Sequence, residues 1–407
     1  MKKTVLKKYA HLIATVGVNV KRGQEVFIYA ELDQPEFVRM VAEECYKAGA
    51  SRVTVEWADQ ALSAMHIRRR TQKVLSTLTS YELEKWKYQA EALPCKIHLI
   101  SEDPDGMAKV NQKKVAVAQQ AKMKLIKPIR DKMEDRYQWC IAAVPGAAWA
   151  KKVFPHLPKG KAVEALWEAI LKTSRVTDDP VAAWEEHNRD LHDRCEYLNG
   201  LSIRELHYTA KNGTDFRVKL MDESVFAAGG EYTLGGNYFN PNIPSEEVFT
   251  SPKRGEAEGI VYASLPLSYN GQLIENFSVR FENGKAVEVH AERGEDTLRE
   301  MIAMDDGAAY LGECALVPYA SPIRESGILF YNTLFDENAA CHLALGRGFG
   351  GCVRGHENMS LEEIREKGLN DSIIHVDFMI GTEDLDIDAT TKDGRVVPIF
   401  RKGNWAF

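Results

Sequence analysis

The sequence predicts an α/β N-terminal domain with a mostly parallel sheet, followed by a C-terminal α+β domain rich in antiparallel strands. Three observations predict it. Over the first two hundred residues, short apolar runs alternate with helical patterns, and strands separated by helices pair in parallel within layered domains. Past Gly200 the texture changes to strand pairs joined by Asn-Gly, the signal of a β-hairpin. A chain of 407 residues also exceeds what one ordinary core organises. These place the boundary at residue 200, giving domains 1–200 and 201–407.

Taken in order, the lysine-rich start resembles a signal peptide, but His11 interrupts its apolar part. Val5, Tyr9, Leu12, Ile13 and Val16 fall at helical spacing, so an amphipathic first helix is expected. Strands are expected at 25–30, 52–57, 96–100 and 139–145, with a helix over 35–48, a long helical region through Ala92 and another over 110–135. After the first strand the chain reads Glu31-Leu32-Asp33-Gln34-Pro35, with no glycine to let a phosphate approach the backbone, so this domain reads as scaffold. Charged helices follow over 161–172 and 180–199, the last closed by Asn199-Gly200. Hairpins are expected around Asn212-Gly213 and Asn283-Gly284, with inserted helices at 296–304 and around 338–345.

Composition excludes several classes. Hydrophobic content of 44% and charged content of 27% mark an ordinary soluble globular chain. Net charge is −7, and the most basic cluster, Arg68-Arg69-Arg70, lies in a helical pattern as a solvated face, which argues against nucleic acid. The cysteines, seven in all, contain no C-x-x-C pair. That disfavours a disulfide framework and a thiolate zinc site, and favours a reducing cytoplasm. No run of eighteen apolar residues is present, so no membrane span is expected.

Four stretches place acids or histidines in apolar settings. In the strand Ser372 to Gly381, His375 and Asp377 stand two apart and project from one face. Glu313 is the only charge in Leu311 to Pro318. His342 lies among Ala and Leu in Leu334 to Gly346, read as a helix, with Glu337 before it. Glu246 and Glu247, adjacent in Asn242 to Pro252, point to opposite faces if that segment is extended, so one faces a site while the other supports it. Singly, each has a structural explanation as a solvated acid or a satisfied core histidine. Together they offer four carboxylates (Glu247, Glu313, Glu337, Asp377) and two imidazoles without thiolates, a set suited to Zn, Co or Mn. Four negative charges match two divalent ions, the arrangement of hydrolytic two-metal sites.

The blocks around these residues resemble those of the bacterial metallo-aminopeptidase family typified by aminopeptidase T, AmpS and PepS. The family blocks N-x-P-S/T-E-E-V-F-T, L-G-E-x-A-L-V-P, L-F-D-E-N-A-x-C/S-H-L-A-L-G and I-H-x-D-F-M-I-G all stand here in order. The resemblance implies an aminopeptidase acting on peptides, a homodimer and two divalent metal ions. It implies that Glu247 and Asp377 bind one ion, His342 and His375 the other, and that Glu313 bridges them, with Glu337 a further ligand. Glu246 is the candidate general base. One departure stands out: the family often has a tyrosine in a G-R-A-Y-P turn seven residues after the histidine, where this chain has Phe349 within Gly346-Arg347-Gly348-Phe349-Gly350-Gly351. That turn matches G-x-G-x-x-G but opens no βαβ unit, and reads as a wall of the substrate cleft. No G-x-S-x-G elbow or Cys–His dyad competes. An alternative is a mononuclear iron(II) ring-cleaving dioxygenase using His342, His375 and Asp377. A third is a non-catalytic binding protein with a decayed site.

Overall fold

The computed structural model describes residues 1–407. By compactness the chain divides into Met1–Asn188 with Gly229–Ser245, and Arg189–Ala228 with Glu246–Phe407. The change of texture at residue 200 coincides with the end of the helix Pro180–Gly200.

The first unit is organised on a five-stranded parallel sheet. Its order is Asn242–Ile243, Trp139–Ala143, Cys95–Ile100, Glu25–Glu31 and Arg52–Ala58. Helices cross between the strands, as the alternation of apolar runs requires. The helix Lys3–Leu12 continues into a π-helical turn, Ile13–Gly17, and buries Tyr9, Leu12 and Ile13. Tyr9 stacks on Phe37 from the helix Pro35–Ala48, with ring centres 5.4 Å apart. Gly49, at φ 107°, ends that helix in the left-handed region that a residue with a Cβ resists. The long helical region before Ala92 resolves into three helices, Gln60–Arg69, Gln72–Ser76 and Ser80–Ala92. Asp59, Thr71 and Thr79 cap them, each accepting a backbone N–H of the first turn. Caps are local chemistry that a continuous helical pattern hides.

The second unit is antiparallel. Its nine-stranded sheet contains both expected hairpins, Ile203–Thr209 with Asp215–Leu220 and Gln272–Glu282 with Lys285–Arg293. A five-stranded sheet runs in the order His375–Met379, His342–Gly346, Leu311–Leu316, Val248–Thr250 and Ala227–Ala228. The helix expected around 338–345 is not formed. A short helix, Thr333–Asp336, and a 3₁₀ turn, Glu337–Ala339, give way to the strand His342–Gly346. Strands on both sides take up its backbone groups, and this pairing outweighs the helix preference of Ala and Leu.

Candidate metal centre

The five-stranded sheet sorts its side chains by face. Directly opposed residues of antiparallel strands share a face. Glu313 opposes Ala344, Ala344 opposes Asp377, Gly346 opposes His375, and Ala315 stands between His342 and Phe249. Glu313, His342, His375 and Asp377 therefore gather on one side, and Glu247 joins them two residues before Phe249. Alternate residues Val248, Cys314, Leu316, Leu343, Leu345, Val376 and Phe378 enter the hydrophobic core on the other side. Ala315, Ala344 and Gly346 add little bulk to the first face and leave room between the acids.

The donor atoms form two triads that share one residue. Glu247, Glu313 and His342 make the first, and Glu313, His375 and Asp377 the second. His342 Nε2 lies 3.1 Å from Glu247 Oε2. His375 Nε2 lies 3.0 Å from Glu313 Oε2 and 3.2 Å from Asp377 Oδ1. The pairing implied by the resemblance, Glu247 with Asp377 and His342 with His375, differs from this grouping. Each histidine instead faces a carboxylate, and Glu313 stands between the two sets.

Backbone carbonyls orient both rings. His342 Nδ1 faces the carbonyl oxygens of Glu337 at 2.8 Å and Ala340 at 3.2 Å. His375 Nδ1 faces that of Arg347 at 2.7 Å. A carbonyl only accepts, so each Nδ1 carries a proton and each Nε2 is left facing the acids. Against a carboxylate that nitrogen needs a positive charge, either a second proton of its own or a metal ion. Asp377 Oδ1 is buried with no hydrogen-bond partner, despite its closeness to His375. A divalent ion answers both features: bonds of 2.0–2.1 Å place tetrahedral donors ~3.3 Å apart, close to the separations here. The residues fit a metal.

The electrostatics show how strained the cluster is as four buried acids. Burial, with the charges of Glu247 and Asp377 adding to it, pushes Glu313 up to about 7 although His375 pulls it down. Burial and the neighbouring Asp377 and Glu247 hold Glu337 well above the carboxylate range. Burial opposes charge on His342, yet the hydrogen bond and charge of Glu247 raise it to about 10. His375 rises likewise against burial, through Asp377 and Glu313. Burial favours the neutral form of Asp377 too, but His375 and His342 hold it below the usual range. Such coupling is common where charges are gathered for chemistry.

Glu337 contributes to neither triad. Its carbonyl orients His342, and its carboxyl hydrogen-bonds Asp377. Glu246 is buried, and its backbone N–H donates to Asn338 Oδ1 at 2.6 Å. Asp336, pushed up to about 7 by burial, accepts the N–H groups of Phe330 and Asn332 at 2.9 Å each and shapes the loop before the turn. Phe349 lies with its ring 4.8 Å from that of His375 and 5.5 Å from that of Phe249. Asn338 and the carbonyls escape a search for ligand side chains. An amide between Glu337 and His342 is the one trace they leave in the sequence.

Comparison with known proteins agrees with the use of a divalent metal. Residues 2–405 match the model of the family described as thermophilic metalloprotease (M29). The chain is 43% identical to aminopeptidase AmpS of Bacillus subtilis (strain 168) over 99% of this chain and 98% of that protein. It is 40% identical to aminopeptidase T of Thermus thermophilus over 98% of each. The solved structure of wild-type AmpT from Thermus thermophilus superposes with a TM-score of 0.90 at 39% identity, covering 100% of both chains. A 2,5-dihydroxypyridine dioxygenase from Pseudomonas putida KT2440 shares the fold alone, with a TM-score of 0.51 at 15% identity over 99% of this chain and 96% of that one. With this match running nearly end to end, the chain belongs to the thermophilic metalloprotease family M29.

Proposed function

We propose that this chain, a metal-dependent aminopeptidase, removes N-terminal residues from peptides with two divalent cations, Zn, Co or Mn. Glu247 and His342 hold one, His375 and Asp377 the other, and Glu313 is shared. The observation that carries this reading is the pair of donor triads meeting at Glu313. When bound, the ions supply Lewis acidity, lowering the pKa of water from 15.7 towards about 7 and polarising a carbonyl oxygen.

The chain's own residues do the rest. The backbone carbonyls of Glu337, Ala340 and Arg347 keep each Nε2 aimed at the centre. Glu337 steadies Asp377 and His342 as the support of the site. Glu246 is the general base, accepting a proton from the attacking water. The peptide's free α-amine is a cation, and this acid-rich face suits it. A homodimer in the cytoplasm, expected from the resemblance and from the cysteine pattern, belongs to the same reading.

A single iron held by His342, His375 and Asp377 fits this geometry less well. A facial triad puts two histidines and one carboxylate on one ion, whereas the two histidines here stand in different triads. The test is hydrolysis of aminoacyl-p-nitroanilides and short peptides, with EDTA and then with Zn or Co restored. Release of N-terminal residues that follows the metal supports the reading. No cleavage of any peptide by a chain carrying one iron would overturn it.

A further inference from the structure

We propose that Asn338 is the positioning residue of one half of the centre, Glu247 with His342, and leaves the His375–Asp377 half to its own strand. The proposal rests on the two-ion reading above. Asn338 lies in the 3₁₀ turn Glu337–Ala339 and is completely buried. Its Oδ1 accepts the N–H of Glu246 at 2.6 Å. Its Nδ2 donates to the carbonyl of Leu334 at 2.9 Å and to Glu337 Oε1 at 3.4 Å. A carboxamide makes these two donations and one acceptance from separate atoms without carrying charge.

The two segments it joins need joining. The strand Leu311–Leu316 separates the strands following Glu247 and containing His342, so no ladder hydrogen bond joins the two directly, and Glu247 itself lies before its strand begins. On one side the amide fixes the peptide group of Glu246, adjacent to Glu247. On the other it fixes the turn whose Glu337 carbonyl orients His342. One side chain therefore sets the approach of Glu247 Oε2 to His342 Nε2. His375 and Asp377 depend on it only at second hand, through Glu337, whose carboxyl hydrogen-bonds Asp377. They stand two apart on one strand, and the Arg347 carbonyl orients the histidine.

The experiment is equilibrium dialysis of the metal-free full chain against Zn²⁺, with metal counted per chain and folding checked by circular dichroism. The wild type is expected to take two ions. Outer partners of metal ligands are worth about 10–100-fold in affinity, so Asn338→Ala should weaken one ion by that factor and move the other by less than about threefold. Asn338→Asp keeps the volume and the acceptor for Glu246 but loses both donations, and should weaken the same ion. In the double variant Asn338→Ala/His375→Ala both ions should bind more weakly than in the wild type. Equal weakening of both ions in the single variants, no weakening, or two variants that fail to fold would each overturn the proposal. A wild type binding one ion would defeat the two-ion reading instead. The Asn338 assignment would then stand if that ion is weakened by the factor above and fall if it is not.

Discussion

Glu313 is the side chain both donor triads share, which singles it out among the acids of the site. Glu313→Gln keeps its shape and removes its charge, so both ions should be lost and kcat/KM should fall at least about 100-fold, ~2.7 kcal/mol in the barrier. Metal analysis beside kinetics checks this, and retention of two ions would contradict it. Glu246→Gln should instead lower turnover while metal content holds. Normal turnover would remove Glu246 from the role of base. In the first unit, Lys96 lies between the rings of Trp86 and Tyr137, 5.2 and 4.7 Å from their centres. Burial, helped by Lys85, pulls its amine down to about 8. Unfolded, the amine titrates near 10.4. Between about pH 8 and 10.4 the unfolded chain binds the extra proton, so this group's penalty is full below pH 8 and fades as pH rises. Lys96→Met should thus raise Tm more at pH 7 than at pH 10.5, and equal gains would refute the argument. At this scale the sequence showed which acids and histidines would come together, since strand alternation put His375 with Asp377 and isolated Glu313. It hid how they pair, because the orienting groups at Arg347 and Glu337 are carbonyls that every residue owns.

The strand His342–Gly346 shows where an element escapes its own composition. Leu and Ala around His342 favour a helix when read alone. The flanking strands Leu311–Leu316 and His375–Met379 are distant in sequence, and their demand for a partner in the middle is not written locally. The hairpins at Asn212-Gly213 and Asn283-Gly284 were legible because each turn carries its own signal. Gly346 ends the strand His342–Gly346 at φ 106°, opposite His375, and a Cβ there would run into the carbonyl oxygen of Ile374. Gly346→Ala combines a left-handed backbone with that clash and should cost on the order of 2 kcal/mol. Urea unfolding measures the loss, and metal binding at His375 and Asp377 should weaken with it. An unchanged midpoint would show that the strand end yields freely.

Over the whole molecule, metal content and stability are linked. Four acids buried together repel one another, and an ion that binds only the folded chain stabilises it by about 2.7 kcal/mol at a free concentration of 100 Kd. Calorimetry with and without a chelator should show a lower Tm for the stripped protein, and an identical endotherm would contradict the linkage. The alternation of strands and helices foretold the parallel sheet of the first unit. It did not foretell its edge strand Asn242–Ile243, which is two residues long and arrives from beyond the hairpin Ile203–Thr209 with Asp215–Leu220. The ligands themselves run from Glu247 to Asp377, with the last pair near the C-terminus. While the chain is being synthesised, the shared Glu313 leaves the ribosome before its second set of companions exists. The first triad is thus complete once His342 is made, whereas the second waits for the strand His375–Met379, so the two proposed ion sites become available in that order.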